Sequence, residues 1–157
     1  MIQNGYLAAG IDSVFIDDSL WKMDIYIHSG DFYSFSRLTF NTENEDALGS
    51  SGFREKLFSN KPFNPQQLSK LFDKVLTFYE NNGFPFASIK LDSITFNNNQ
   101  LNSRLLIDKG PLIRIDTIFV KGEAKNSNKL IYNVLQINPD DIYQQQIINQ
   151  IEIRIKE

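Results

Sequence analysis

The 157 residues contain one histidine, His28, and no cysteine. Any catalytic or metal chemistry would therefore rest largely on carboxylates and hydroxyls. A Ser-His-Asp relay would need His28 as its base, yet no glycine-rich turn of the kind that presents a nucleophilic serine occurs. A lone imidazole has no second His or Cys with which to complete a nitrogen/sulfur metal site. His28 alternates with Ile27 and is expected on the solvated side of a strand. The carboxylates come in suggestive pairs: Asp17-Asp18, Asp140-Asp141, and Asp12-Ser13 recurring as Asp92-Ser93. Paired acids do general acid-base work when their surroundings split their pKa values. Here Asp17-Asp18 reads as a turn, Asp140 or Asp141 as a helix cap, and the two Asp-Ser pairs as polar residues in mid-hairpin. No Gly-rich phosphate cradle is present. The sequence thus assigns no catalytic residue, no metal ligand and no cofactor.

Aromatic residues are the other chemically distinctive group, with 13 Phe, 6 Tyr and 1 Trp. Stacking on nucleic acid would place them on an open sheet face among Lys and Arg. Instead Trp21 shares a strand face with Ile25 and Ile27, and Phe72 and Tyr79 fall on an apolar helical stripe, so core packing is expected. Sixteen Lys and Arg against 19 Asp and Glu give a net charge of −3, which argues against a phosphate-rich partner. A 41% hydrophobic and 22% charged composition is that of a globular chain. No apolar run approaches the ~20 residues that cross a bilayer. The start, Met1 to Tyr6, lacks the basic and apolar regions of a signal peptide, and is expected to be the start of a segment from a longer protein. The absence of cysteine leaves the redox compartment open.

The elements that must position any site follow from a repeat. Residues 11–42 match 91–122 at a constant offset of 80. Asp12-Ser13-Val14 falls on Asp92-Ser93-Ile94; Trp21, Ile25 and Ile27 fall on Leu101, Leu105 and Ile107; Gly30 falls on Gly110. Phe63, Leu68, Leu71 and Val75 fall on Tyr143, Ile148, Ile151 and Ile155, while Asn4-Gly5-Tyr6 matches Asn82-Gly83-Phe84 at offset 78. Alternation predicts strands at 89–96 and 101–107, joined by a turn at Asn97-Asn98-Asn99. Further strands are expected at 33–40 and 112–120. Asn64 and Pro65 start a helix carrying Leu68, Leu71, Phe72, Val75 and Tyr79 at 3.6-residue spacing, and Gly83 ends it. A shorter helix is expected at about 52–59, entered through a polar loop at 41–51. Its counterparts are expected at about 127–135 and 142–156, although Ile151, Ile153 and Ile155 also alternate like a strand. The fold class is α+β: tandem β-α-α-β-β units, each a three-stranded mixed sheet covered by two helices.

Such units of about 80 residues in tandem resemble POTRA (polypeptide-transport-associated) domains. Two stretches carry the resemblance. Phe78-Tyr79-Glu80-Asn81-Asn82-Gly83-Phe84 is similar to the family's aromatic-x-x-x-Gly-aromatic exit from the second helix, with Tyr79, Gly83 and Phe84 as its marks. Asp108-Lys109-Gly110-Pro111, running through Ile115, Ile118 and Val120 to Gly122, is similar to the junction between consecutive domains. The resemblance implies a complete domain at 31–110, the closing hairpin of a preceding one at 1–30, and the β-α-α start of a following one at 111–157. It implies a non-enzymatic periplasmic module, tethered to the outer membrane through its parent, that handles polypeptides for an assembly or translocation machine.

Binding would then use backbone: an extended client adds to an open sheet edge with little sequence demand. The expected edge is the first hairpin strand near 89–96, with Ile89, Leu91 and Ile94 as candidate contacts, each of which would serve equally as a core residue. Gly30 and Gly110 are candidate inter-domain hinges. The partners implied are unfolded outer-membrane proteins or accessory lipoproteins and a C-terminal β-barrel of the same polypeptide, with no nucleic acid. The two incomplete ends could also complement each other between chains, giving a domain-swapped self-association. Two-partner secretion transporters and the scaffold domain of division-type membrane proteins are alternative settings for the same unit. A generic α+β binding protein is a fourth reading.

Overall fold

The computed structural model describes residues 2–119 and 128–156. It divides into two compact units, Met1–Phe72 with Lys90–Leu106, and Asp73–Ile89 with Ile107–Glu157. Val120 and Gly122 of the sequence motif lie outside the described residues.

In the first unit, alternating residues on either side of a polar turn form an antiparallel hairpin of β1 (Gly10–Asp17) and β2 (Lys22–His28). The Asp17 carboxylate organises the turn, accepting from the Ser19 hydroxyl (2.5 Å), the Ser19 N–H (3.0 Å) and the Leu20 N–H (3.2 Å). These donors favour the ionised form and hold the Asp17 carboxyl below the ordinary aspartate range, the Ser19 hydroxyl contributing most. Trp21 does not join the core as its alignment with Leu101 suggested: it sits in the turn at φ 51 and is 96% exposed. His28 is not merely solvated, since its Nδ1 pairs with Asp12 Oδ1 at 2.8 Å on the facing strand.

A second, three-stranded sheet has the order β3-β5-β4, from β3 (Ser34–Thr39), β4 (Ser88–Asn97) and β5 (Gln100–Asp108). β3 runs parallel to the central β5, with Phe35 opposite Leu101 and Leu38 opposite Ser103. β4 and β5 are joined through Asn98 and Asn99, at φ 48 and 60. Positive φ at both positions is what a two-residue hairpin turn of matching twist requires, and Asn tolerates it. Phe35, Leu38, Leu101 and Leu105 are buried, together with Ala47, Leu48, Phe58, Leu68 and Leu71. The ring of Phe35 meets those of Phe58 (5.8 Å) and Phe63 (4.9 Å), and Phe53 stacks on Phe58 at 5.5 Å.

The helices in this stretch are α1 (Glu45–Ser50) and α2 (Pro65–Glu80). Asn64 caps α2 as expected, its side-chain oxygen accepting the Gln67 N–H at 3.1 Å. The short helix does not lie at 52–59, where only a 3-10 turn at Glu55–Leu57 forms. It occupies part of the expected loop instead. Gly52, at φ 79, ends α1 rather than introducing a helix, and the Phe53 N–H returns to the Leu48 carbonyl at 2.9 Å. Burial of Ala47 and Leu48 stabilises the helix despite its Gly and Ser content.

In the second unit, α3 (Asn128–Leu135) contacts α4 (Gln145–Lys156), and Leu135 and Ile137 are buried. Arg154 ties the pair, donating to the Leu135 carbonyl at 2.5 Å. The ambiguous stretch 142–156 is therefore helical from Gln145. Its expected aspartate cap is not used: Asp141 accepts the Asn138 N–H at 2.6 Å, and the side-chain oxygen of Asn81 accepts the Gln146 N–H at 2.8 Å. Among the described residues, 112–119 forms no strand and makes one bridge, Arg114 to Ile142. A strand exists by its ladder, and the described residues of 112–119 have no neighbour equivalent to β5.

The repeat is written in the hydrogen bonds. Phe35 N–H donates to Lys61 (2.9 Å), Asn60 N–H to Phe35 (2.7 Å) and Phe63 N–H to Tyr33 (3.0 Å). Shifted by 80, Ile115 N–H donates to Asp141 (2.9 Å), Asp140 N–H to Ile115 (2.7 Å) and Tyr143 N–H to Ile113 (3.0 Å).

Candidate polypeptide-binding edge

A three-stranded sheet has two edges, and here they differ. The outer edge of β3 is already occupied by residues 60–63 through the three backbone bonds to Tyr33 and Phe35. The opposite edge is β4, which has β5 as its single strand neighbour among the described residues. Its outward N–H and C=O groups are the ones to which an added strand would pair.

The pattern of β4 contains one irregularity. Apolar residues fall at Ile89 and Leu91 and then at Ile94 and Phe96, so the alternation slips by one residue between 91 and 94. Ser93 stands in that gap at φ 53, a break in the extended backbone. Inserting one residue returns the following side chains to the same face, as a β-bulge does. The bulge is held: the Ser103 hydroxyl donates to the Asp92 carbonyl at 3.0 Å, and the Ser93 hydroxyl to the Asp92 carboxylate at 2.9 Å. β1 behaves alike, with its register shifting between Ile11 and Ser13 around Asp12. The recurring Asp-Ser pair thus marks a bulge in each hairpin. The slip in alternation was the signal that could have revealed it from sequence.

Of the candidate contacts, Ile89 and Leu91 are half-buried and Ile94 is 48% exposed. Phe96, which sequence reasoning passed over, is 56% exposed and makes an edge-on contact with the Tyr33 ring at 5.7 Å.

The motif residues Tyr79, Gly83 and Phe84 meet at the end of α2. Phe84 N–H returns to the Tyr79 carbonyl at 2.9 Å around Gly83 at φ 90, a Schellman closure. Tyr79 is buried, faces Phe84 edge-on at 6.1 Å, and carries the Lys109 ammonium 5.8 Å from its ring centre. The Gly83 carbonyl accepts the Ile113 N–H at 2.7 Å, while a Cβ on Gly83 would lie 2.5 Å from Leu112 Cδ1 and 2.6 Å from Ile142 Cγ2. Gly5, at φ 91, accepts the Tyr33 N–H at 2.7 Å in the same way. The candidate hinges are also equivalent: Gly30 and Gly110 both have φ 65, the first against Ala8 and the second against Phe86.

Among the described residues no group of three or more His, Cys, Asp or Glu could hold a metal ion, and no helix is long and apolar enough to cross a membrane.

No family model matches the sequence. Over 101 residues the chain is 26% identical to the outer membrane protein assembly factor BamA of Buchnera aphidicola subsp. Acyrthosiphon pisum (strain APS), a match covering 63% of this chain and 16% of that protein. The chain therefore spans about one-sixth of the length of that curated relative. Among solved structures it is similar to Haemophilus influenzae BamA POTRA3-5, with a TM-score of 0.62 at 17% identity, covering 99% of this chain and 63% of the other. BamA from Haemophilus ducreyi lacking POTRA domains 1-3 superimposes with a TM-score of 0.57 at 15% identity, over 79% of this chain and 23% of that one. The three-stranded mixed sheet with its helices is common ground with these structures, and the fold of this chain is that of POTRA domains.

Proposed function

We propose that this protein is a non-enzymatic, polypeptide-binding module of an outer-membrane protein assembly machine, standing in the periplasm and joined to a β-barrel of its parent polypeptide. Residues 31–110 act as one complete domain, flanked by the closing hairpin of a preceding domain at 1–30 and the start of a following one at 111–157. Gly30 and Gly110 serve as the hinges between them. Clients are unfolded outer-membrane proteins, and accessory lipoproteins are further partners. An extended segment adds to β4, with backbone hydrogen bonds supplying affinity and Ile94 with Phe96 supplying apolar contact. Barrel strands alternate polar and apolar residues, which suits them to such pairing.

The observation that carries this reading is the asymmetry of the sheet: β3 is closed by residues 60–63, whereas β4 has no outer neighbour among the described residues. Titrating a ten-residue peptide from a barrel strand against the labelled chain should shift the amides of Ile94 to Asn97 first. Consecutive N–H groups of a strand point to opposite sides, so one of Ile94→Pro and Thr95→Pro removes an outward donor of β4 and should weaken binding at least tenfold. Shifts confined to other elements, or unchanged binding by both proline variants when folded, would overturn the edge assignment.

A further inference from the structure

We propose that the bulge at Asp92 and Ser93 is a length limiter built into β4: it confines an added client strand to residues 94–97, so that clients are held briefly and released. The inference rests on β4 being the edge to which clients pair, and adds how long a segment that edge accepts.

The bulge is maintained at a cost. Ser93 sits at φ 53, a conformation that residues other than glycine seldom adopt and that breaks an extended strand. Two hydroxyls hold it. The Ser93 hydroxyl donates to the Asp92 carboxylate at 2.9 Å, and the Ser103 hydroxyl to the Asp92 carbonyl at 3.0 Å. Ser103 is 5% exposed and alternates along β5 with the buried Leu101 and Leu105. A hydroxyl in a row of buried leucines destabilises a core unless it is hydrogen-bonded. Its acceptor here is the backbone of the neighbouring edge strand, so the central strand gives up an apolar position to bend that edge. The device recurs 80 residues earlier, where the register of β1 shifts between Ile11 and Ser13.

Bending the edge limits what can pair with it. On a regular strand the outward N–H and C=O groups fall on every second residue, in step with a partner strand. The ten residues of β4 would offer about five such positions. One inserted residue puts the groups on its two sides out of step with a straight partner. A client in register with 94–97 therefore cannot continue its ladder into 88–91, and about two outward positions remain to it. The apolar side chains assign the client to the later run, since Ile94 and Phe96 are exposed whereas Ile89 and Leu91 are half-buried. Bulges blunt sheet edges against unlimited pairing; this one leaves a short stretch open.

Deleting Ser93 removes the inserted residue and places Ile89, Leu91, Ile94 and Phe96 in unbroken alternation. A ten-residue barrel-strand peptide titrated against the labelled native chain should shift the amides of β4 only at 94–97. In the deletion variant the shifts should extend back to Lys90, and the peptide should bind at least tenfold tighter, chiefly through slower dissociation. Ser103→Ala keeps every residue of the edge and frees the Asp92 carbonyl; it should spread the shifts across the bulge with a gain of about threefold in affinity. Circular dichroism checks the fold of both, and Ser103→Ala decides alone where the deletion variant does not fold. Unchanged affinity with shifts that still stop at Ile94 in the folded variants would overturn the limiter and leave the edge assignment standing. So would shifts running unbroken from 88 to 97 in the native chain. An absence of shifts on β4 in all three chains would overturn the edge assignment and the limiter together.

Discussion

Replacing Gly83 by alanine tests the claim that the helix exit is a structural joint. Two costs act together. An L residue forced into left-handed backbone is strained by about 1–2 kcal/mol, and Gly83 sits at φ 90. The new Cβ also meets Leu112 Cδ1 at 2.5 Å and Ile142 Cγ2 at 2.6 Å. Both are ends of flexible side chains, 47% and 39% exposed, so they can withdraw, and this part sits near the low end of overpacking costs, about 1 kcal/mol. Loss of unfolded-state freedom offsets roughly 0.4–1 kcal/mol. The net is a destabilisation of about 2 kcal/mol, or roughly 4–8 °C in Tm for a chain of this size. Urea unfolding reads the total, and amide exchange at Ile113 reads the joint, because its N–H donates to the Gly83 carbonyl. Gly83→Asn, which tolerates left-handed backbone, should cost less than Gly83→Ala. Gly5→Ala provides the sharper comparison. Its φ is 91, but its Cβ would collide with the backbone carbonyl oxygen of Tyr33, whose own N–H is bonded to Gly5. Backbone yields less readily than a leucine tip, so Gly5→Ala should cost more than Gly83→Ala. Equal or reversed costs, or an unchanged Ile113 exchange rate in a destabilised Gly83→Ala, would refute the reasoning.

Asn64→Ala should destabilise the fold by about 1 kcal/mol, measured by chemical denaturation, because the Gln67 N–H loses its acceptor. The Asp17 turn should be acid-labile with a definite sign. Its folded pKa is lowered, so its contribution is fully present above the ordinary aspartate value of about 3.9 and is lost as pH falls through the lower folded value. Ser19 and Leu20 amide shifts followed into acid should show this late transition, and Asp17→Ala should abolish it. A Ser19 midpoint at or above the ordinary aspartate value would contradict the assignment.

The helix α2 was legible residue by residue, since Asn64, Pro65, the Leu68-Leu71-Val75-Tyr79 stripe and Gly83 all act within one helix. So was the hairpin around Asn98 and Asn99, whose turn chemistry is local. The position of α1 was not legible. The stretch Gly49-Ser50-Ser51-Gly52 has the composition of a loop, and only burial of Ala47 and Leu48 makes its first part a helix. The cap of α4 was equally hidden, because Asn81 reaches it from 65 residues away in sequence. Trp21 was misassigned since its alignment with Leu101 describes a core position, and the hairpin that carries it is exposed.

What the sequence by itself determined was the repeat of 80 residues, the α+β order of elements and the glycines of the helix exit, because periodicity, turn chemistry and positive-φ demands act over a few residues. What only the tertiary structure decided was which edge of the sheet is open. Residues 60–63 close β3 by backbone bonds that no side-chain pattern encodes, and Ser93 bulges β4 through a bond from Ser103 on its neighbour. Burial, too, was decided there: identical places in the repeat are core at Leu105 and surface at Ile25, since an apolar side chain is buried only where another element covers it.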